Sequence, residues 1–171
     1  MKDLHFEIER KYLIRMPDPA WLAREADGTE ITQTYLLTAP NCSERVRKRG
    51  RDGSYVYTHT IKRKLSDLRR IEDETEISER EYEELLRRAD PARKPVEKVR
   101  WCFRYEGQFF ELDVFPFWKD RAYLEIELGD ESQQVTLPPS LQIIREVTDD
   151  PRYTNSALAL AIPYEEIGKD N

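Results

Sequence analysis

The chain has 171 residues, a net charge of −6 and 36% charged residues, against about 25% in an ordinary soluble domain. An acidic balance argues against nucleic acid as a partner, because nucleic-acid-binding proteins usually carry net positive charge. The length predicts a single domain over residues 1–171, and no apolar run is long enough to span a membrane. The two cysteines cannot form a disulfide framework, so the sequence predicts a cytoplasmic protein. The sequence does not decide between a monomer and a homodimer.

Alternation of apolar and other side chains predicts eight β-strands with few helices between them. The predicted strands are residues 3–14, 30–38, 43–49, 55–62, 70–77, 96–105, 108–115 and 123–128. Short helices are predicted near residues 21–26, after the capping box Ser78-Glu79-Arg80-Glu81, and over residues 155–162. The order of elements lacks the alternating strand–helix rhythm of a doubly wound fold.

The connections are marked by glycine and proline. Turns are predicted at Asp27-Gly28, at residues 51–54 and at Glu106-Gly107. A basic loop over residues 63–69 either contacts a ligand or is simply solvated, and the sequence does not decide between the two. From Pro138 onwards the chain is predicted to be irregular up to the last helix.

One side of the predicted strands is dominated by charge. The acids at these alternate positions are Glu7, Glu9, Glu72, Glu74, Asp113, Glu125 and Glu127. The bases are Lys11, Arg45, Arg47, Lys62, Arg70, Lys98 and Arg100. An open sheet with one face in water would explain alternation, but it explains poorly why this side carries so few uncharged polar residues. We therefore predict a β-rich α+β fold: a closed eight-stranded antiparallel β-barrel with a charged interior and short helices outside.

Both signs of charge in one place favour a ligand that is anionic and bound to a metal. Arginine and lysine side chains neutralise phosphate oxygens, and paired glutamates hold a divalent cation such as Mg²⁺. Triphosphate is the phosphate ligand that would best occupy so many basic groups.

The pattern of residues resembles a known family. Glu7-Ile8-Glu9-Arg10-Lys11 is similar to the Glu-x-Glu-x-Lys signature of the CYTH superfamily, the triphosphate tunnel metalloenzymes, and the resemblance continues in order along the chain. It runs through Gln33-Thr34-Tyr35-Leu36, Arg45-Val46-Arg47, Thr60-Ile61-Lys62, Arg70-Ile71-Glu72-Asp73-Glu74, Glu97-Lys98-Val99-Arg100, residues 110–115, Leu124-Glu125-Ile126-Glu127 and residues 146–155. The size and tail most resemble the short bacterial members, which are similar to inorganic triphosphatases.

The resemblance implies a role for each charged position, with Mg²⁺ or Mn²⁺ as cofactor. The implied metal ligands are Glu7, Glu9, Glu125 and Glu127. The implied phosphate contacts are Lys11, Arg45, Arg47, Lys62, Arg70, Lys98 and Arg100. Glu72, Glu74 and Asp113 would hold a second metal, orient a water or brace the basic side chains, and Tyr35 would place the terminal phosphate. Glu7, Glu9, Lys11, Tyr35 and Asp113 are the implied catalytic residues.

The resemblance implies metal-dependent hydrolysis of inorganic triphosphate or a related compound. Three alternatives stay open: an adenylate cyclase of the class IV type making cyclic AMP from ATP, a thiamine triphosphatase, and a non-catalytic module that binds polyphosphate or nucleotide. The expected partner is a triphosphate-containing small molecule, with neither nucleic acid nor membrane. Neither histidine is predicted to be catalytic, and Cys42 and Cys102 are predicted to be structural.

Overall fold

The computed structural model describes residues 8–64 and 70–169. Its strands are β1 (Ile8–Arg15), β2 (Asp27–Tyr35), β3 (Cys42–Arg51), β4 (Ser54–Lys64), β5 (Arg70–Ile77), β6 (Val96–Tyr105), β7 (Gln108–Val114), β8 (Arg121–Leu128) and β9 (Ile143–Glu146). The helices are α1 (Pro19–Glu25), α2 (Glu79–Leu86), α3 (Asn155–Leu158) and a 3₁₀ turn over Pro151–Tyr153. None of the helices in this part of the chain is long and apolar enough to cross a membrane.

The strands form one nine-stranded sheet in the order β5-β4-β3-β2-β6-β7-β8-β1-β9. The pairings whose register is described are antiparallel. The prediction of a closed eight-stranded barrel is wrong, because closure gives every strand two neighbours whereas β5 and β9 have one each. The alternation from which closure was predicted reports only that one side of each strand is polar, and an open sheet satisfies that equally well.

The ninth strand, β9, lies in the segment that was predicted to be irregular. It pairs with β1 at Tyr12, Leu13 and Ile14, with a shift of register after Leu13. β1 therefore lies between β8 and β9. A strand of four residues is too short to display a period of two, which is why the sequence pattern did not predict it.

Two compact units make up the described chain, and each is considered by itself. The first is Thr29–Glu97 and the second combines Ile8–Gly28 with the residues from Lys98 onwards. The core of the second unit lies on the apolar side of its strands, where Phe110, Leu112, Leu124 and Ile126 pack with Leu22 of α1. The polar side of these strands is thus left to carry the charged residues.

The first unit has a smaller core between α2 and its strands. Val46 and Leu36 pack against Tyr82 of α2, and Tyr57 lies with its ring 4.9 Å from that of Tyr82. The predicted capping box is confirmed: Ser78 Oγ accepts from the backbone N–H of Glu81, whose carboxylate accepts from the backbone N–H of Ser78. This box fixes where α2 begins after β5.

Two of the three predicted turns are confirmed and one is wrong. Asp52 and Gly53 both have positive φ between β3 and β4, as do Glu106 and Gly107 between β6 and β7. Asp27-Gly28, however, begins β2 instead of turning the chain. A Cβ at Gly28 would lie 2.9 Å from the Trp101 ring, so this glycine permits a close approach within a strand.

Candidate functional site

Asp113 of β7 is the centre of a buried charged cluster on the polar side of the second unit. Its side chain has no exposed surface, and it accepts from Lys98 Nζ at 2.6 Å and from Arg100 Nε at 2.7 Å. Arg100 Nη2 also donates to Asp113 at 2.8 Å, which makes the arginine contact bidentate. Arg100 and Asp113 lie directly opposite each other on β6 and β7, so the register of the sheet creates the pair.

The mutual contacts keep all three groups of this cluster charged near neutral pH. Burial would raise the pKa of Asp113, but the positive charges of Lys98 and Arg100 hold it well below its usual value. Burial lowers the pKa of Lys98 to about 8 although Asp113 opposes that change. Burial acts the same way on Arg100, but the pKa of Arg100 is raised because the charge of Asp113 outweighs it. An ionised, fully engaged Asp113 is suited to positioning cations and unsuited to proton transfer.

The next row of the same face holds Lys11, Glu125 and Glu111, which the sheet register places side by side on β1, β8 and β7. Lys11 Nζ lies 3.2 Å from Glu125 Oε1 and donates to the backbone oxygen of Tyr153 at 3.2 Å. Glu125 Oε1 is buried at ion-pair distance from Lys11 but has no hydrogen-bond partner. Arg100 joins the two rows, since it also contacts Glu111 and Glu125.

The carboxylates beyond this row are candidates for a divalent cation. Glu9 and Glu127 lie directly opposite each other on β1 and β8, and both are exposed. Like charges in that relation repel, and Glu125, whose buried Oε1 accepts no hydrogen bond but pairs with Lys11, occupies the next polar position along β8. Within the described ranges, no group of three or more His, Cys, Asp or Glu side chains is arranged to enclose a metal. The set therefore fits a hard cation that takes few protein oxygens and completes its shell with water and ligand oxygens.

The first unit carries its own charged rows on β3, β4 and β5. Arg47 Nη2 lies 3.4 Å from Glu74, which also accepts from Thr60 Oγ1 at 2.9 Å. Lys62 pairs with Glu72 at 3.1 Å, and the two residues are directly opposite in the sheet. These four charged residues were predicted from alternation alone, and the structure places them on one side of adjacent strands.

Tyr35 and Arg45 are opposite each other on β2 and β3. Tyr35 is buried, and the guanidinium of Arg93 lies 5.6 Å from its ring centre. Arg45 Nε is buried without a hydrogen-bond partner. Arg70 is the first residue of β5. Glu7 and residues 65–69 of the predicted basic loop lie outside the described residues, whereas Arg63 and Lys64 extend β4.

Sequence reasoning did not select four residues that contact the cluster of the second unit. They are Glu111, Tyr123, Tyr153 and Asn155. Glu111 is two positions from Asp113 and therefore lies on the same side of β7, so the alternation could have predicted its place in the cluster. Tyr153 and Asn155 come from the tail, and no periodic pattern links a tail residue to a strand face.

His59 and the two cysteines are not part of these clusters. His59 Nε2 lies 2.8 Å from Glu44, which also accepts from Arg88 at 2.9 Å. Glu44 alternates with Arg45 along β3, so its side chain lies on the other side of the sheet. Neither Cys42 nor Cys102 is in a disulfide.

Buried lysine and arginine side chains are thus held by carboxylates on the polar side of an antiparallel sheet. A family model described as CYTH domain matches residues 5–146, and the chain belongs to this family. The predicted family resemblance is therefore confirmed.

The relatives are similar along nearly their whole length. The chain is 37% identical to a protein of Nitrosomonas europaea named inorganic triphosphatase, over 92% of this chain and 99% of the relative. It is 36% identical to an inorganic triphosphatase of Acetivibrio thermocellus, over 89% and 92%. A solved structure described as an inorganic triphosphatase shares 34% identity, with a TM-score of 0.60 over 94% of this chain and 98% of that one.

Proposed function

We propose that this protein is a metal-dependent hydrolase that splits inorganic triphosphate, or a closely related triphosphate, into shorter phosphates. The observation that carries the proposal is the cluster of Lys11, Lys98 and Arg100 with Asp113 and Glu125. Five ionisable side chains that are almost fully buried are costly to maintain for stability alone. Two relatives that carry the name inorganic triphosphatase at 36% and 37% identity support the choice of substrate.

The basic side chains are proposed to bind phosphate oxygens. In the second unit these are Lys11, Lys98 and Arg100, and in the first unit Arg45, Arg47, Lys62 and Arg70. Phosphoryl transfer needs positioning and charge neutralisation more than covalent help, so a set of fixed cations suits the reaction. Asp113 is proposed to position Lys98 and Arg100, which it already contacts, and Glu72 and Glu74 to do the same for Lys62 and Arg47.

The metal is proposed to be Mg²⁺ or Mn²⁺. Metal dependence is general among the triphosphatases of this family. We propose Glu9, Glu125, Glu127 and Glu7 as its ligands, supported by the exposed Glu9 and Glu127 opposite each other and by the buried Oε1 of Glu125, which accepts no hydrogen bond. A bound divalent cation would neutralise phosphate charge and make a coordinated water more acidic. Tyr35 is proposed to place the terminal phosphate.

We propose a cytoplasmic location, supported by two cysteines that are not in a disulfide. The substrate class implies a small-molecule partner, and the net charge of −6 supports the absence of a nucleic-acid partner.

A phosphate-release assay tests the proposal directly. Purified protein is incubated with inorganic triphosphate, ATP or thiamine triphosphate, with Mg²⁺, Mn²⁺ or a chelator, and cyclic AMP is measured in parallel. We expect the highest kcat/KM with inorganic triphosphate and no turnover in chelator. Cyclic AMP from ATP with little phosphate release would instead identify a cyclase. Tight triphosphate binding without any product would identify a binding module.

A further inference from the structure

Three buried side-chain atoms of the first unit have no hydrogen-bond partner. They are Gln33 Nε2 on β2, Arg45 Nε on β3 and Thr58 Oγ1 on β4. Gln33 is only 1% exposed, so bulk water does not satisfy its amide. A buried polar group left unpaired costs about 1–3 kcal/mol. Three such groups on neighbouring strands indicate that a ligand able to accept their hydrogen bonds would be stabilised there.

The register of the sheet places these three residues on one face. Gln33 lies opposite Arg47, and Arg47 lies opposite Thr58. Gln33, Arg47 and Thr58 therefore form a row across β2, β3 and β4. Arg45 is two positions from Arg47 on the same strand and therefore shares its face. Gln33 and Thr58 are separated by two strand spacings, about 10 Å. That distance exceeds one phosphate group and is comparable with a chain of phosphoryl groups.

The chemistry of the unpaired atoms selects the ligand. The amide nitrogen of Gln33 and the guanidinium nitrogen of Arg45 only donate, and the hydroxyl of Thr58 donates or accepts. A donor-lined face beside Arg47 and Lys62 suits an oxygen-rich anion. Nearby carboxylates do not accept hydrogen bonds from these unpaired atoms. Glu74 accepts from Arg47 and Thr60 instead, and Thr58 Oγ1 stays unpaired although Glu76 lies opposite it.

We propose that Gln33 and Thr58 are neutral donors that bind the oxygens of the phosphate chain next to Arg45. The inference rests on the proposed function and adds two residues to it. Because neutral donors bind an oxygen without cancelling its charge, they contribute position and chain-length selectivity more than electrostatic attraction. Their spacing along the row favours triphosphate over diphosphate.

The inference predicts opposite effects on binding and on stability. In Gln33→Met and Thr58→Val the donors are replaced by apolar groups of similar size. The Kd and KM for triphosphate should rise roughly ten-fold in each, as expected for the loss of a hydrogen bond to a charged group. The kcat should change less than the KM. The free variants should be at least as stable as the wild type, because an unpaired buried donor has been removed.

The test measures the Kd for triphosphate and diphosphate by calorimetry without metal, the melting temperature with and without triphosphate, and steady-state kinetics with metal. Thr58→Ser keeps the hydroxyl and should bind like the wild type. Thr32→Val, on the opposite face of β2, is the matched control and should change neither binding nor kinetics. We also expect the preference for triphosphate over diphosphate to fall in Gln33→Met and Thr58→Val.

The outcomes separate this inference from the proposed function. If the wild type hydrolyses triphosphate and both variants keep its Kd, KM and preference, the donor row is not a binding site and the inference alone fails. If the variants lose stability and kcat together with binding, Gln33 and Thr58 are structural residues and the inference is again wrong. If the wild type neither binds nor hydrolyses triphosphate, both proposals are wrong.

Discussion

At the scale of single residues, the buried ion pair of Lys98 and Asp113 connects stability with function. Their nitrogen and oxygen atoms lie 2.6 Å apart, and their side chains are 1% and 0% exposed. Asp113 is shared with Arg100, so removing Asp113 would leave two buried cations without their common partner, and a loss of this kind costs about 3–5 kcal/mol. Disturbing this pair therefore lowers the stability of the fold. Because Lys11 and Arg100 lie in the same cluster, the same disturbance should also weaken anion binding.

Lys98 gives the proposed activity a defined pH dependence. Burial lowers the pKa of Lys98 to about 8, so the ammonium loses its proton as the pH rises above 8, whereas an ordinary lysine keeps it to above 10. We expect kcat/KM for triphosphate to fall above pH 8, because kcat/KM reports ionisations of the free enzyme. The measurement is a pH profile from 6.5 to about 9.5. Lys98→Arg should move the fall to higher pH, and a flat wild-type profile would contradict the assignment.

Glu9 tests the proposed metal position. Glu9→Gln keeps the size of the side chain but removes one charge of the opposed pair with Glu127. We expect near-complete loss of turnover with an unchanged fold, since the substitution weakens metal binding and keeps the size of an exposed side chain. Phosphate release and circular dichroism report the two effects. Glu131→Gln, at an exposed turn residue, is the control, and retained activity in Glu9→Gln would exclude β1 from the metal site.

At the scale of elements, β3, β4 and the chain after α2 are joined by Glu44, His59 and Arg88. Burial would raise the pKa of Glu44, but the hydrogen bonds from His59 and Arg88 hold it below its ordinary value. The unfolded chain therefore binds the proton more readily, and the stabilisation present above about pH 4.5 is lost as the pH falls through the folded pKa. We expect the urea midpoint of Glu44→Gln to respond less to acid than that of the wild type. An equal response between pH 6 and 3.5 would show that Glu44 does not contribute.

The elements also show what the sequence pattern can predict. β5 and β6 begin and end where the alternation placed them, because strands with one polar face repeat every two residues. The turn predicted at Asp27-Gly28 was wrong because Gly28 lies within a strand and makes a close contact with Trp101. Composition does not distinguish that use of glycine from a turn. β9 was missed because four residues carry too little pattern. The charged rows were predictable from parity, whereas the unpaired atoms of Gln33 and Thr58 required coordinates.

At the scale of the whole molecule, the alternation of side chains predicted a polar face but could not predict whether the sheet closes into a barrel. Whether the first and last strands of a sheet pair depends on contacts between residues far apart in the chain, and those leave no periodic signal. Among the strands that the structure describes, β5 and β9 have one neighbour each, so the sheet they end is open. The family resemblance added the chemistry of the ligand, which periodicity does not contain.

The prediction of one domain over residues 1–171 leads to a test of cooperativity. The chain passes between the two units inside strands: within β2 after Gly28 and within β6 after Glu97. If the first unit unfolded alone, β2 would keep only Asp27 and Gly28, and β6 would lose Val96 and Glu97. We therefore propose that both units unfold in a single transition, as small domains usually do.

The chain contains a natural reporter of each unit, since Cys42 lies in the first and Cys102 in the second, and neither is in a disulfide. In a urea series, pulsed alkylation of the wild type followed by mass spectrometry of the two cysteine peptides measures both units in the same molecules. One cooperative domain gives coincident midpoints and equal m-values for the two thiols. Separate midpoints would show two domains that share strands without sharing stability, and the single-domain prediction would then be wrong.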